Sequence, residues 1–412
     1  MNLNRKHMPT VSGLVFCSAV VCFLGVISLD RDRARPLQSG GSDYVRLHYD
    51  ALVVDTHNDV LLRIMEGEDI TGRTTSGHSD LVRFQEGGID IQVFSVWIAP
   101  EYIPNAYERA NEEIDSLESV IRRASDEIGL ARNAHEAETL VKQGKLAAVI
   151  GIEGGHHIEN DLAKLDTLYR RGMRYMTLTW NNSTEWASSA RDETQRPESL
   201  EHKGLTPFGR NIVQRMNELG IMVDISHVGE ETFWDVLAAT NKPVIASHSS
   251  CYALDPHFRN LKDEQLKAIA QNGGVVFINF YSKFLDSTYS RKEQAILAQN
   301  RMRLDSLKRT WKGDSHGFNV ARSNLLRSEL DKIRPPLSLL IDHIDHAVKL
   351  AGVDHVGLGS DFDGITSSPL GMDDVTHFPN ITRELLKRGY SERDVRKILG
   401  ENFMRVFREV TH

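Results

Sequence analysis

Five residues of metal-ligating type close short apolar runs of the chain. His57 and Asp59 follow LVVD, Glu153 ends AAVIGIE, His227 ends MVDISH and His248 ends PVIASH. A sixth group, Asp361, opens Asp361-Phe362-Asp363-Gly364 after HVGLGS. Imidazole nitrogens and carboxylate oxygens suit zinc. Side chains two apart on a strand point the same way, so His57 and Asp59 can reach one ion. His227 and His248 end adjacent units and can meet at a second ion. Glu153 stands between the two sets, and its two oxygens can bridge them. Each ion then keeps an open position for water, and two close metals can share a hydroxide and polarise a carbonyl. Taken singly, each residue has a blander reading: a hydrogen-bonded histidine, a salt-bridged Glu153, an Asp361 that caps a turn. The joint pattern at strand ends is hard to explain that way.

The elements that must position these groups are legible as eight β-branched apolar runs. They cover 52–57, 89–98, 147–155, 175–180, 222–227, 243–248, 274–280 and 355–364. Near-continuous apolar runs are the mark of parallel strands covered on both faces. Helical patterns lie between most of them, for example over 160–172 and 206–219. The repeat predicts an α/β fold, a (β/α)8 TIM-type barrel spanning 45–412, with an open doubly wound sheet as the alternative. Barrel enzymes carry their chemistry at the C-terminal strand ends, where the candidate ligands fall. Residues 287–334, rich in charge and Leu, predict a helical insertion between strands seven and eight.

The chain has 412 residues, 40% hydrophobic and 26% charged, which suits a globular domain and excludes a polytopic membrane protein. A net charge of -8 and 7% aromatics argue against nucleic-acid binding. Of three cysteines, Cys17 and Cys22 lie near the N-terminus, so Cys251 alone remains for the domain and excludes a disulfide framework or Cys-rich zinc site. Arg5 and Lys6 precede a charge-free run over 11–29. Residues 1–35 therefore read as an export signal or a single membrane anchor, and the rest as periplasmic, secreted or membrane-held. The C-terminus lacks a GPI-type hydrophobic tail.

VVDTHNDVLLR, GIEGGHHIEND, RYMTLTW, VDISHV, VIASHSSCYAL and VGLGSDFDG together resemble the membrane (renal) dipeptidase family of zinc peptidases, from about residue 50 to the end. The resemblance implies an amidohydrolase-type barrel that carries two zinc ions. It implies His57 and Asp59 on the first zinc, Glu153 as the bridge, and His227 and His248 on the second. It implies Asp361 as the acid/base and Arg259 as the partner of the substrate carboxylate. A planar guanidinium fork suits that last task. Well-known eukaryotic members carry a substrate-contacting histidine where this chain has Trp180. That contact then falls to the zinc ions or to Asn181 or Asn182. Phe284 stands where mammalian members have a tyrosine. His156 is expected to orient a ligand. Family members are often dimers, and a homodimer is compatible with the resemblance.

The expected activity is hydrolysis of dipeptides, with tolerance of a D-residue on the C-terminal side. A zinc-bridging hydroxide would attack, with Asp361 as base and then acid. The alternative is lactone or phosphotriester hydrolysis on the same two metals. Those relatives start with H-x-H, whereas this chain has His57-x-Asp59. A non-catalytic binding barrel would have lost ligands, and here all are present.

Overall fold

A computed structural model describes residues 43–312 and 315–411. The expected export segment, with Cys17 and Cys22, lies outside the described residues. No helix among the described residues is long and apolar enough to cross a membrane.

Nine strands build one parallel sheet: β1 (Val54–Asn58), β2 (Ile91–Trp97), β3 (Ile128–Leu130), β4 (Leu146–Glu153), β5 (Met173–Thr177), β6 (Met222–Asp224), β7 (Ile245–Ala246), β8 (Val275–Ile278) and β9 (Val356–Leu358). The path runs β1-β2-β4-β5-β6-β7-β8-β9, and β3 pairs beside β4. The eight on the path coincide with the eight apolar runs. The sheet bends until its ends nearly meet, through an Asn58–Phe362 bridge. Asp59 N donates to Phe362 O at 2.9 Å and Asp361 N donates to His57 O at 3.0 Å. The result is a nearly closed eight-stranded barrel.

Alternation along the strands sorts side chains between two cores. Ile91, Val93, Ala147, Val149, Tyr175, Met222 and Phe277 form the inner cluster, while Phe94, Val96, Ala148, Ile150, Ile152 and Met176 face the helices. The C-terminal helix Asn402–Val410 packs into the inner cluster, with Phe403 against Phe277. Helices follow the expected pattern over Leu162–Arg171 and Pro207–Leu219. Asp161 and Thr206 cap their starts by side-chain hydrogen bonds, and Gly172 and Gly220 end them in the left-handed conformation.

Between β8 and β9 the chain runs through helices Tyr289–Gln299, Arg301–Thr310 and Ser315–Leu330. Ile296, Leu304 and Leu326 give this region a small apolar cluster of its own.

The strands are shorter than the apolar runs. β5 stops at Thr177, β6 at Asp224, β7 at Ala246 and β9 at Leu358. Trp180, His227, His248 and Asp361 therefore stand two or three residues past strand ends, on turns at the barrel rim.

Candidate metal centre

Glu153 is the last residue of β4 and its two oxygens face different partners. Oε2 lies 3.6 Å from His57 Nε2, while Oε1 lies 2.8 Å from His227 Nε2 and 3.4 Å from His248 Nε2. His57 Nε2 is also 3.5 Å from Asp59 Oδ2. His227 Nε2 and His248 Nε2 approach to 3.0 Å. Ligands about 2.0–2.2 Å from one tetrahedral zinc lie roughly 3.3–3.6 Å from one another. Most of these separations match that figure. His57, Glu153 and His248 form one group of ligand atoms within 4.8 Å, and His57, Asp59 and Asp361 form another.

Asp59 does not reach His57 by strand alternation. β1 ends at Asn58, and Asp59 begins the next helix with φ -97° and ψ 21°. The turn, together with a register shift between Asp55 and Asn58, brings the carboxylate over the imidazole.

Two histidines are oriented from behind. Tyr175 OH donates to Thr56 O at 3.3 Å and accepts from His57 Nδ1 at 2.8 Å. Ser247 Oγ donates to Asp224 Oδ2 at 2.6 Å and accepts from His248 Nδ1 at 2.8 Å. In each case the hydroxyl's own proton is used elsewhere, so Nδ1 carries a proton and Nε2 is turned toward the centre. His57 Nε2 is buried with no hydrogen-bond partner, as a nitrogen reserved for a cation should be. The donor set, its spacing and this bare nitrogen fit a metal centre. Gly151 makes the Tyr175 arrangement fit: a Cβ there would lie 2.1 Å from the phenol ring.

Asp361 and His227 hold φ values of 61° and 66°, in the left-handed region that non-glycine residues rarely occupy. Such strain is kept where function needs a side chain aimed in one direction. Asn279, just past β8, donates to Asp361 Oδ2 at 2.8 Å. Burial, reinforced by the charges of Asp59 and Glu153 and opposed by His57, pushes Asp361 up to about 8 in the metal-free protein. Burial, with the Arg259 charge, lowers His227 to about 3, and burial first of all puts His248 well below its usual value; both stay neutral. Glu153 lies well below the ordinary carboxylate range, because the facing histidines outweigh its burial.

The centre opens into a cavity of ≈ 230 Å³. Its lining includes Trp180, Asn181 and Arg259, so these expected substrate contacts meet at one place. Arg259 is 4% exposed; one Nη donates to His248 O at 3.2 Å, the guanidinium lies over the Phe284 ring at 5.4 Å, and Nε has no partner. Burial lowers it to about 10, so it remains a cation at neutral pH. Trp180 stacks near His227 at 6.2 Å. His156 does not touch a candidate ligand: Asn182 Nδ2 lies 2.9 Å and Ser183 O 3.3 Å from its Nε2, so it ties down the loop that follows Trp180.

Sequence reasoning missed Tyr175, Ser247, Asp224 and Asn279 behind the centre, and Trp97 in the cavity wall. The first four carried a signal. Each is a polar group inside an apolar run, where burial demands a hydrogen-bond partner.

A nearly closed parallel barrel with histidines and carboxylates at its C-terminal rim defines a metal-dependent hydrolase. Comparison with known proteins narrows this class. Residues 42–412 match the membrane dipeptidase family, peptidase family M19. The chain belongs to that family and is a metallo-dipeptidase. It is 32% identical to an uncharacterised dipeptidase of Schizosaccharomyces pombe over 380 residues, 87% of this chain and 80% of that protein. Among solved structures it is similar to the probable dipeptidase PvdM of Pseudomonas aeruginosa, at 28% identity and a TM-score of 0.73, covering 89% of this chain and 97% of that one. A metallo peptidase of Rhodobacter sphaeroides, solved with a phosphinate mimic of the dipeptide L-Ala-D-Ala, matches at 26% identity and a TM-score of 0.71, covering 87% and 99% of the two chains.

Proposed function

We propose that the protein is a dinuclear zinc dipeptidase that cleaves small dipeptides and accepts a D-residue on the C-terminal side. The observation that carries this reading is the divided aim of Glu153, with one oxygen toward His57 and the other toward His227 and His248. His57, Asp59 and Glu153 would hold one ion, and Glu153, His227 and His248 the other. Two zinc ions there would activate a water molecule, polarise the scissile carbonyl and receive the substrate's free amino group.

The remaining work belongs to side chains of this chain. Arg259 receives the free carboxylate through its fork. Asp361, held by Asn279, takes the proton of the attacking water and returns it to the leaving amine. Charge matching at both ends restricts the substrate to two residues, since a longer peptide would leave one charge unmet. The L-Ala-D-Ala mimic on the Rhodobacter sphaeroides relative supports D-residue tolerance. Arg5, Lys6 and the charge-free run over 11–29 support export of the catalytic domain.

The test is hydrolysis of L-L and L-D dipeptides before chelation, after chelation and after zinc is restored. Turnover of both series that vanishes with chelator and returns with zinc is expected. A protein that binds zinc but turns over only lactones or phosphotriesters would overturn the reading.

A further inference from the structure

We propose that Trp97 and Trp180 form the wall that receives the side chain of the dipeptide's N-terminal residue, and that they select apolar side chains there. This rests on the dipeptidase reading and specifies its substrate.

Three observations place Trp97. It is the last residue of β2 and pairs in register with Glu153 on β4. Paired residues on neighbouring parallel strands project to the same face, about 4.8 Å apart. Trp97 therefore leans over the barrel mouth beside the proposed bridging carboxylate. It is the one residue of β2 that is not fully buried, and it lines the cavity. Its backbone N–H donates to the buried Glu113 carboxyl at 3.0 Å, which anchors the strand end.

The wall continues through Trp180. The two indoles stand 5.1 Å apart at 58°, and Trp180 passes on to His227. Leu62 and Ile365 line the same cavity.

Barrel order tells which end of the substrate meets this wall. Counting only path strands, β2 is second and β7 sixth, four steps apart on a ring of eight. Arg259 comes from the loop after β7. It therefore faces Trp97 across the mouth, with Glu153 and Asp361 between them. A dipeptide with its carboxylate on Arg259 and its scissile carbonyl at the centre extends its first residue toward the β2–β4–β5 side. That side offers the two indoles, and the two aliphatic side chains come from the segments after β1 and β9 in the same cavity. Apolar groups are removed from water there. An acidic side chain would meet the negative faces of the rings and the carboxylates of Asp59, Glu153 and Asp361.

The experiment measures kcat/KM of the zinc-loaded full chain for Leu-Ala, Phe-Ala, Gly-Ala and Asp-Ala, in wild type, Trp97→Ala and Trp97→Phe. Wild type should prefer Leu-Ala and Phe-Ala over Gly-Ala by about tenfold or more, with Asp-Ala slowest. Trp97→Ala should shrink the Leu-to-Gly ratio severalfold, and Trp97→Phe should retain most of it. A second series, Ala-Gly against Ala-Leu, should keep its ratio in both variants, because that residue lies on the Arg259 side. If Trp97→Ala does not fold, Trp97→Gln takes its place with the same expected shrinkage, and the wild-type ranking of Leu-Ala, Gly-Ala and Asp-Ala is read beside it. An unchanged Leu-to-Gly ratio in Trp97→Ala, or wild type preferring Asp-Ala over Leu-Ala, overturns this proposal and leaves the dipeptidase reading standing. No turnover of any dipeptide by zinc-loaded wild type overturns both.

Discussion

Asp361 combines three features that a proton-transfer group needs. It is held by one amide donor, aimed by a left-handed backbone, and pushed upward by burial. A bound cation would draw its value back down, so the ion and the burial act in opposite directions. Asp361→Asn keeps the shape and an acceptor for Asn279 but cannot take a proton. The expected outcome is a fall in kcat of about 10²–10⁴ with zinc content unchanged. An unchanged kcat in metal-replete variant protein would remove Asp361 from proton transfer. Types and spacing exposed the ligands because His and Asp are costly at the ends of apolar runs unless they are used. They did not expose Trp97, because an aromatic in a strand reads as core.

At the scale of elements, the turn after β9 packs directly against two carboxylates of the site. A Cβ on Gly364 would lie 2.1 Å from Asp59 Oδ2 and 2.6 Å from Asp361 Oδ1. Only a residue without a side chain lets the turn pass this close to two carboxylates. Gly364→Ala is therefore expected to displace them. Zinc affinity, read by competition with a chelating dye, should fall about 10–100-fold, the size seen when support of a metal ligand is lost. The melting temperature of the chelated protein should shift little. Wild-type zinc affinity in this variant would show that the turn can yield. The strands themselves were legible, since apolar runs announce them. Their ends were not: the apolar runs continue through Leu178 and Ile225, past the last residues of β5 and β6.

Across the whole molecule, buried neutral histidines make stability depend on pH. His157 and His343 are each lowered to about 4, by burial above all. His343 accepts from Cys251 N at Nδ1 and bonds Leu285 O through Nε2, a pairing that requires the neutral ring. A histidine of the unfolded chain titrates near about 6.5. Below that pH the unfolded state binds the extra proton, so stability falls as pH drops from about 6.5 toward about 4. Each residue contributes on the order of 3 kcal/mol over that window. Urea midpoints of the zinc-free protein at pH 7.5, 6 and 5 should show this loss, and His343→Gln should flatten it. Parallel curves for the two proteins would exclude His343 as a source.

The sequence by itself determined the eight parallel strands, the helices between them and the six polar groups at the rim, while near-closure into a barrel rather than an open sheet came from the structure. Periodicity and polarity are local properties, and both survive without a third dimension. The tertiary structure alone decided which groups stand behind the ligands and which face them across the mouth. Tyr175 reaches His57 from 118 positions away and Asp224 reaches Ser247 from 23, through barrel closure and strand register. Trp97 meets Glu153 for the same reason: register between strands is set by the packing of the whole sheet, and no stretch of chain encodes it alone.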